Sequence, residues 1–148
     1  MTPSANCSHL VKWFEGFMSH PYICPSGKAT IGYGATHYPD GTAVYLTDPP
    51  ISEEMASIML DAMLGDYGIQ VEKLLSVDVT QGQFDALVDF AYNCGLNNLR
   101  SSTLLKYVND GNFDAAAREF CKWDHAGGKV MTGLTHRRET EKALFLGT

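Results

Sequence analysis

The chain has 148 residues, with 11 Lys or Arg against 17 Asp or Glu for a net charge of -6. That length buries a core in one compact domain without cross-links, and the acidic balance excludes a basic nucleic-acid-binding surface. The four cysteines, Cys7, Cys24, Cys94 and Cys121, form no C-x-x-C pair and leave no zinc arrangement, so free thiols and no metal are expected. The first residues carry no signal-peptide pattern and no run is apolar for long enough to span a bilayer, which predicts a protein kept in a cytoplasm without stable membrane association.

In chain order, Ser8 is placed to cap a first helix whose apolar face is Leu10, Trp13 or Phe14, and Phe17, with Glu15 near its end. Glycine, aromatic and β-branched residues then dominate. Strands are expected at about Thr30 to Tyr33 and Thr42 to Tyr45, around a Tyr38-Pro39-Asp40-Gly41 turn, giving a small hairpin lobe over about 16–51. Ser52-Glu53-Glu54 opens a long linking helix over about 52–75, with Gly65 and Gly68 as possible breaks. Its methionines, at helical spacing, read as core fillers.

A helical lobe is expected over about 76–148, together with the first helix. Thr80-Gln81-Gly82-Gln83 is a capping box, Gly95-Leu96-Asn97-Asn98 a break, and Ser102 or Thr103 a new start. Phe113, Ala116, Ala117, Phe120 and Trp123 share one helical face. Gly127-Gly128 and Gly133 read as loop before a terminal helix from about Thr135 to Leu146.

Chemistry concentrates early. Glu15 precedes Cys24 by nine positions and Cys24 precedes Thr30 by six. An acid at a helix end, followed by a glycine-punctuated segment with a second ionisable group and a hydroxyl, suits acid/base hydrolysis. Taken singly, Glu15 reads as a solvent-facing helix residue and Cys24 as a small buried thiol. Tyr22, Pro25, Ser26 and Gly27, however, describe a tight exposed turn around Cys24, where a thiolate could serve as base or nucleophile. The histidines form no H-E-x-x-H, no serine lies in G-x-S-x-G, and Gly32-Tyr33-Gly34 is not a dinucleotide fingerprint.

Several separated motifs stand in one order: Glu15-Gly16, Tyr22 to Gly34 with Thr30-Ile31-Gly32-Tyr33-Gly34, Gln83 to Gly95, Ser102-Thr103-Leu104-Leu105, Phe120 with Trp123, and Gly133-Leu134 followed by Arg137-Arg138 and Glu141. In these the chain resembles the phage-type lysozymes, the glycoside hydrolase family that includes phage endolysins. The resemblance implies a two-lobed α+β fold, lysozyme-like, forming a single catalytic domain with a peptidoglycan cleft between the lobes. It implies hydrolysis of the β-1,4 bond between N-acetylmuramic acid and N-acetylglucosamine, without cofactor, by a monomer that waits in the host cytoplasm for release through a holin-type pore. Glu15 corresponds to the general acid, Cys24 to the usual aspartate, and Thr30 to the hydroxyl that holds the attacking water. Arg137 resembles the arginine paired with the acid, with Arg138 the alternative, and Tyr92 and Asn93 resemble the cleft wall that contacts sugars. Ala35 departs from the family, where histidine is common.

The thiol leaves two schemes open. Water activated by Cys24 would invert the anomeric centre, whereas direct attack by Cys24 would retain it. A lytic transglycosylase on the same bond and a non-catalytic wall-binding module are the alternatives. Membrane-anchored relatives can be held inactive by a disulfide at the catalytic-position cysteine, and the sequence leaves open whether Cys7 could trap Cys24 in that way after release.

Overall fold

The computed structural model describes residues 1–148. It divides into two compact units, Ser8–Gly65 and Met1–Cys7 with Asp66–Thr148. The elements are helix α1 (Ala5–Glu15), strands β1 (Met18–Ile23) and β2 (Ala29–Gly32), helices α2 (Glu53–Leu74), α3 (Gln81–Cys94), α4 (Leu96–Ser101), α5 (Thr103–Asn109) and α6 (Phe113–Glu119), a 3-10 turn at Phe120–Lys122, strands β3 (His125–Ala126) and β4 (Lys129–Val130), and helix α7 (Thr132–Leu146). No helix is long and apolar enough to cross a membrane.

In the Ser8–Gly65 unit the hairpin differs from the expected one. β1 pairs antiparallel with β2, matching Met18 with Gly32, Tyr22 with Thr30 and Ile23 with Ala29, with an irregularity between Met18 and Tyr22. Pro21 falls inside that irregularity and has no N–H to give, which suits it to a short edge strand. The Tyr38 to Gly41 turn does form, with Gly41 N donating to Tyr38 O at 2.9 Å. Thr42 to Tyr45 is nevertheless not a strand; only single bridges, Ile31–Ala35 and His37–Ala43, occur there. Side chains take the donors that a ladder would need. Asp40 Oδ1 accepts from Thr42 N (2.9 Å) and Oγ1 (2.7 Å), and Asp48 Oδ2 accepts from Tyr45 N (2.9 Å).

Ile31, Ala35, Val44 and Met59 form the core of this unit, with Tyr38, Ile51 and Met63 against it. Met59 and Met63 therefore fill the core, as their spacing predicts, while Met55 of the same helix is exposed. Ala35 is itself buried. Gly32, at φ +68°, is needed at the contact with α2, because a Cβ there would lie 3.1 Å from that of Ala56. Tyr33 Oη donates to Glu53 Oε1 at 2.9 Å, and Ile51 N donates to Ser19 O at 3.0 Å.

In the other unit α7 packs on α3, around Phe84, Leu87, Phe90, Leu99, Leu104 and Phe120. Edge-on ring contacts link Phe90 to Phe120 (5.9 Å) and to Trp123 (5.3 Å). The α3 capping box forms as expected, Thr80 Oγ1 accepting from Gln83 N and Gln83 Oε1 accepting from Thr80 N. Several element limits shift for local reasons. α1 starts at Ala5 rather than after Ser8, because Ser4 O accepts from Cys7 N (3.1 Å) and Ser4 Oγ from Asn6 N (3.2 Å). Gly65 and Gly68 do not break α2; a Cβ on Gly68 would meet Pro3 Cδ at 2.8 Å. The Gly95 break is followed at once by α4. Ser102 caps α5, its Oγ accepting from Leu105 N at 3.0 Å. Gly127-Gly128 turns a two-residue hairpin, and α7 begins at Thr132, ahead of Thr135.

A methyl on Gly82 would sit 2.6 Å from the backbone carbonyl oxygen of Leu144. Gly82→Ala gains about 1 kcal/mol of helix propensity and sets it against overpacking of about 1–3 kcal/mol. A net loss of up to about 2 kcal/mol is expected in urea unfolding, since the obstructing atom is backbone and cannot rotate aside.

Candidate active site

Glu15 is the last residue of α1. Gly16, at φ +72°, turns the chain out of the helix while its N–H still donates to Lys12 O at 3.0 Å. Only glycine reaches that left-handed conformation without cost. The helix therefore ends with Glu15 half-buried at the start of the hairpin.

Cys24 follows β1 directly and opens the turn into β2. Cys24 N donates to Lys28 O (3.0 Å) and Gly27 N to Cys24 O (2.8 Å), Gly27 standing at φ +85°. Cys24 Sγ lies 2.8 Å from Ser26 Oγ. Hydrogen bonding to the sulfur, led by Ser26, lowers the thiol to about 6. Hydrogen bonds, not burial, thus favour the thiolate at neutral pH. Thr30 is buried, and its Oγ1 is 3.0 Å from Lys28 O, to which it donates.

Tyr22 pairs with Thr30 across the hairpin and feels the charges of both Glu15 and Cys24. Burial pushes the Tyr22 hydroxyl up from its ordinary value, and the charges of Glu15 and Cys24 push it further. Tyr22 therefore keeps its proton next to two potential anions. Sequence reasoning had set Glu15, Cys24 and Thr30 apart as chemistry and read Tyr22 and Ser26 only as turn residues. The signal for Ser26 was its position two after the cysteine, where a hydroxyl folds back onto the first residue of a turn. Tyr22 had no comparable signal, because its place follows from the strand register.

Arg137, Tyr92 and Asn93 belong to the other unit. Arg137 grips Asp89 through Nε (3.0 Å) and Nη2 (2.7 Å) in a buried fork-on-carboxylate pair. Arg138, fully buried, pairs with Glu141 (Nε to Oε1, 2.6 Å) and donates through Nη2 to Asn93 Oδ1 (2.8 Å) and through Nη1 to Cys94 Sγ. Its guanidinium also lies 5.2 Å from the Phe90 ring centre. Burial, and then Asp89, raise Glu141 well above the ordinary carboxylate range against the pull of both arginines. Asn93 thus spends its carbonyl on Arg138, while Tyr92 packs edge-on to Tyr67 at 5.5 Å. Cys7 is fully buried in this unit, its Sγ 3.6 Å from Asp85 O, and burial pushes its thiol up strongly. All four cysteines are free, and a thiol that keeps its proton is a poor partner for disulfide exchange.

Nothing places three His, Cys, Asp or Glu side chains to hold a metal ion. The chemistry within reach is that of an acid, a thiolate and two hydroxyl groups.

Asp89→Asn would leave Arg137 buried without its counter-charge, at a cost of about 3–5 kcal/mol. Urea unfolding should show that loss, and Asp89→Leu combined with Arg137→Met should recover most of it. Comparison with known proteins identifies the family. Residues 12–141 match the family model described as phage lysozyme. The chain is 53% identical over 140 residues to the endolysin of Bacillus phage B103, covering 93% of this chain and 51% of that protein. It therefore spans about half the length of that relative. Against the endolysin of Acyrthosiphon pisum secondary endosymbiont phage 1 it is 36% identical, with 92% of each chain covered. The solved endolysin of Escherichia coli O157:H7 phage FAHEc1 superposes with a TM-score of 0.89 at 33% identity, over 99% of this chain and 94% of that one. With the lysozyme-like fold and these matches together, the chain belongs to the phage lysozyme family.

Proposed function

We propose that the protein is a muramidase that hydrolyses the β-1,4 bond between N-acetylmuramic acid and N-acetylglucosamine in peptidoglycan and so lyses the host cell. Membership of the phage lysozyme family supports the substrate and the bond. The observation that carries the chemistry is the Cys24 turn, in which a thiol held near pH 6 shares one short hairpin with Tyr22 and Thr30 and lies next after an acid-bearing helix end. The same reading has the monomer wait in the host cytoplasm for a holin-type pore.

In this mechanism Glu15 gives its proton to the leaving glycosidic oxygen as the C1–O bond breaks. Thr30 has a single hydroxyl proton, and the Lys28 carbonyl takes it. Its lone pairs are then left to accept from a water molecule, which fixes where that water sits. The Cys24 thiolate takes the second water proton as the oxygen bonds to C1 from the opposite face. Configuration inverts, the proton count closes, and Glu15 and Cys24 are reset by exchange with solvent. Tyr22 keeps its own proton and so stays neutral beside the Glu15 acid and the Cys24 thiolate. Tyr92 contributes an aromatic face for the sugars, and Asn93, held by Arg138, fixes the backbone beside it. The pairing of Arg137 with the acid, implied by the family resemblance, belongs to this proposal too.

The lowered thiol favours one rival scheme. Cys24 Sγ could bond to C1 directly while Glu15 protonates the leaving oxygen; water deprotonated by Glu15 would then displace the sulfur and retain configuration. Proton NMR of fresh product from purified glycan strands decides between the two. The α-anomer is expected first; the β-anomer would replace inversion by retention, and 1,6-anhydro ends would mean transglycosylation.

Glu15→Gln should lower kcat about 10²–10⁴-fold in clearing of permeabilised Gram-negative cells, whereas wild-type turnover at that residual level would indicate a binding module. A base must be deprotonated to work, so kcat/KM should rise with pH through about 6. Cys24→Asp should stay active with that limb moved down into the carboxylate range, and Cys24→Ala should fail at every pH. An active Cys24→Ala would remove the thiol from the mechanism.

A further inference from the structure

The segment from Cys24 to Gly27 is a β-turn with Pro25 at its second position and Gly27 at its fourth, closed by Gly27 N donating to Cys24 O at 2.8 Å. Proline presets φ at that position, and side chains of Asp, Asn or Ser are favoured at the first, because they accept from the backbone N–H two residues on. Such a turn is built to hold an acceptor at position one. Here the acceptor is sulfur, larger and more diffuse than a carboxylate oxygen, and the turn supplies it with backbone donors at Ser26 and Lys28. One side-chain hydroxyl, Ser26 Oγ, lies 2.8 Å from it.

The second hydroxyl of the turn is already committed. Thr30 Oγ1 donates to Lys28 O at 3.0 Å, and a hydroxyl has one proton to give. For Thr30 to serve the sulfur it must abandon that carbonyl. Ser26 is exposed, and the hydrogen bond recorded for its Oγ is the one to Cys24. The labour therefore divides: the Thr30 proton is spent on the carbonyl, and the hydroxyl left facing the sulfur is that of Ser26.

We propose that Ser26 is a positioning residue for Cys24, donating its hydroxyl proton to Sγ so that the sulfur is held in one rotamer of the turn as a proton acceptor. This rests on the reading of Cys24 as the base of the reaction, but it concerns a contact that can be measured without turnover. A carboxylate at position 24 has two oxygens for the turn's backbone donors and ionises unaided. A thiol has one acceptor atom and an ordinary pKa near 8.5. Ser26 supplies the donor that the exchange of carboxylate for thiol calls for.

The test uses the full chain with Ser26→Ala and Ser26→Thr. Carbamidomethylation by iodoacetamide is followed from pH 4.5 to 9.5 and resolved by peptide mass mapping, so that Cys24 is read apart from the other three thiols. Ser26→Ala should move the Cys24 midpoint up by about one pH unit, a tenfold change in proton affinity, and Ser26→Thr should bring it back. The acid limb of kcat/KM on purified peptidoglycan should move by the same amount, with activity recovered at high pH. A merely structural role would lower activity at every pH and leave both midpoints in place, and that result would overturn the proposal. So would a shifted midpoint that threonine does not restore. A shifted thiol midpoint with an unmoved activity limb would uphold the Ser26–Cys24 contact and overturn the assignment of Cys24 as base.

Discussion

Residues 22, 24 and 30 are spread along the chain, and a backbone left to itself would disperse their side chains over several hundred cubic ångströms. Antiparallel pairing of Tyr22 with Thr30 and of Ile23 with Ala29 removes that freedom. Once two strands are in register, residues opposite each other have Cβ atoms about 5 Å apart, and a slip of one residue would turn Thr30 to the other face. Register is specified because β2 is buried along Ile31 and Gly32, with Ile31 in the core beside Met59 of α2. The site is thus held from beneath by apolar packing and from above by the turn at Cys24. Glu15 is added at no further cost of ordering, because Gly16 ends the helix where the first strand is about to begin.

The helical unit solves a different problem. It buries Asp89, Arg137, Arg138 and Glu141, four groups whose isolated burial would be prohibitive. Two arginines and two acids on α3 and α7 satisfy one another, with Asn93, Cys94 and the Phe90 ring completing the shell around Arg138. Such a cluster adds little net stability compared with apolar side chains of similar size. What it does supply is alignment: α7 cannot slide on α3 without stranding a charge. Tyr92 and Asn93, the residues proposed to meet sugar, stand directly on this locked pair of helices.

Much of this was legible in the sequence, and the gaps have physical reasons. Helix limits signalled by side-chain caps came out well at Thr80 and Ser102, because a cap is a local interaction between residues three apart, whereas Ser8, expected to cap α1, lies inside it. The hairpin was misplaced because Tyr38-Pro39-Asp40-Gly41 gives the stronger turn signal, whereas the true strand β1 contains Pro21 and lacks clean alternation. Long-range partners are invisible to local pattern. Nothing in the neighbourhood of Ser4 says that it caps α1 and bonds to Asp85, and nothing near Arg137 announces Asp89. In the candidate site Glu15, Cys24 and Thr30 were readable from spacing and family resemblance. Tyr22 and Ser26 gained their roles only through register and turn geometry.

The first turn of α3 has a consequence for the chain as a topological object. Gln81 Nε2 donates to Thr2 O (2.9 Å), Asp85 receives Ser4 N (2.9 Å), and Gly82 faces the Leu144 carbonyl of the last helix. Thr2, Ser4 and Leu144 therefore all meet at one helical turn, and residues 8–65 form an excursion that leaves this unit and returns to it. The excursion leaves through α1 and returns through α2, and each helix runs unbroken across its limit, so residues 8–65 cannot be cut away at either limit without severing a helix.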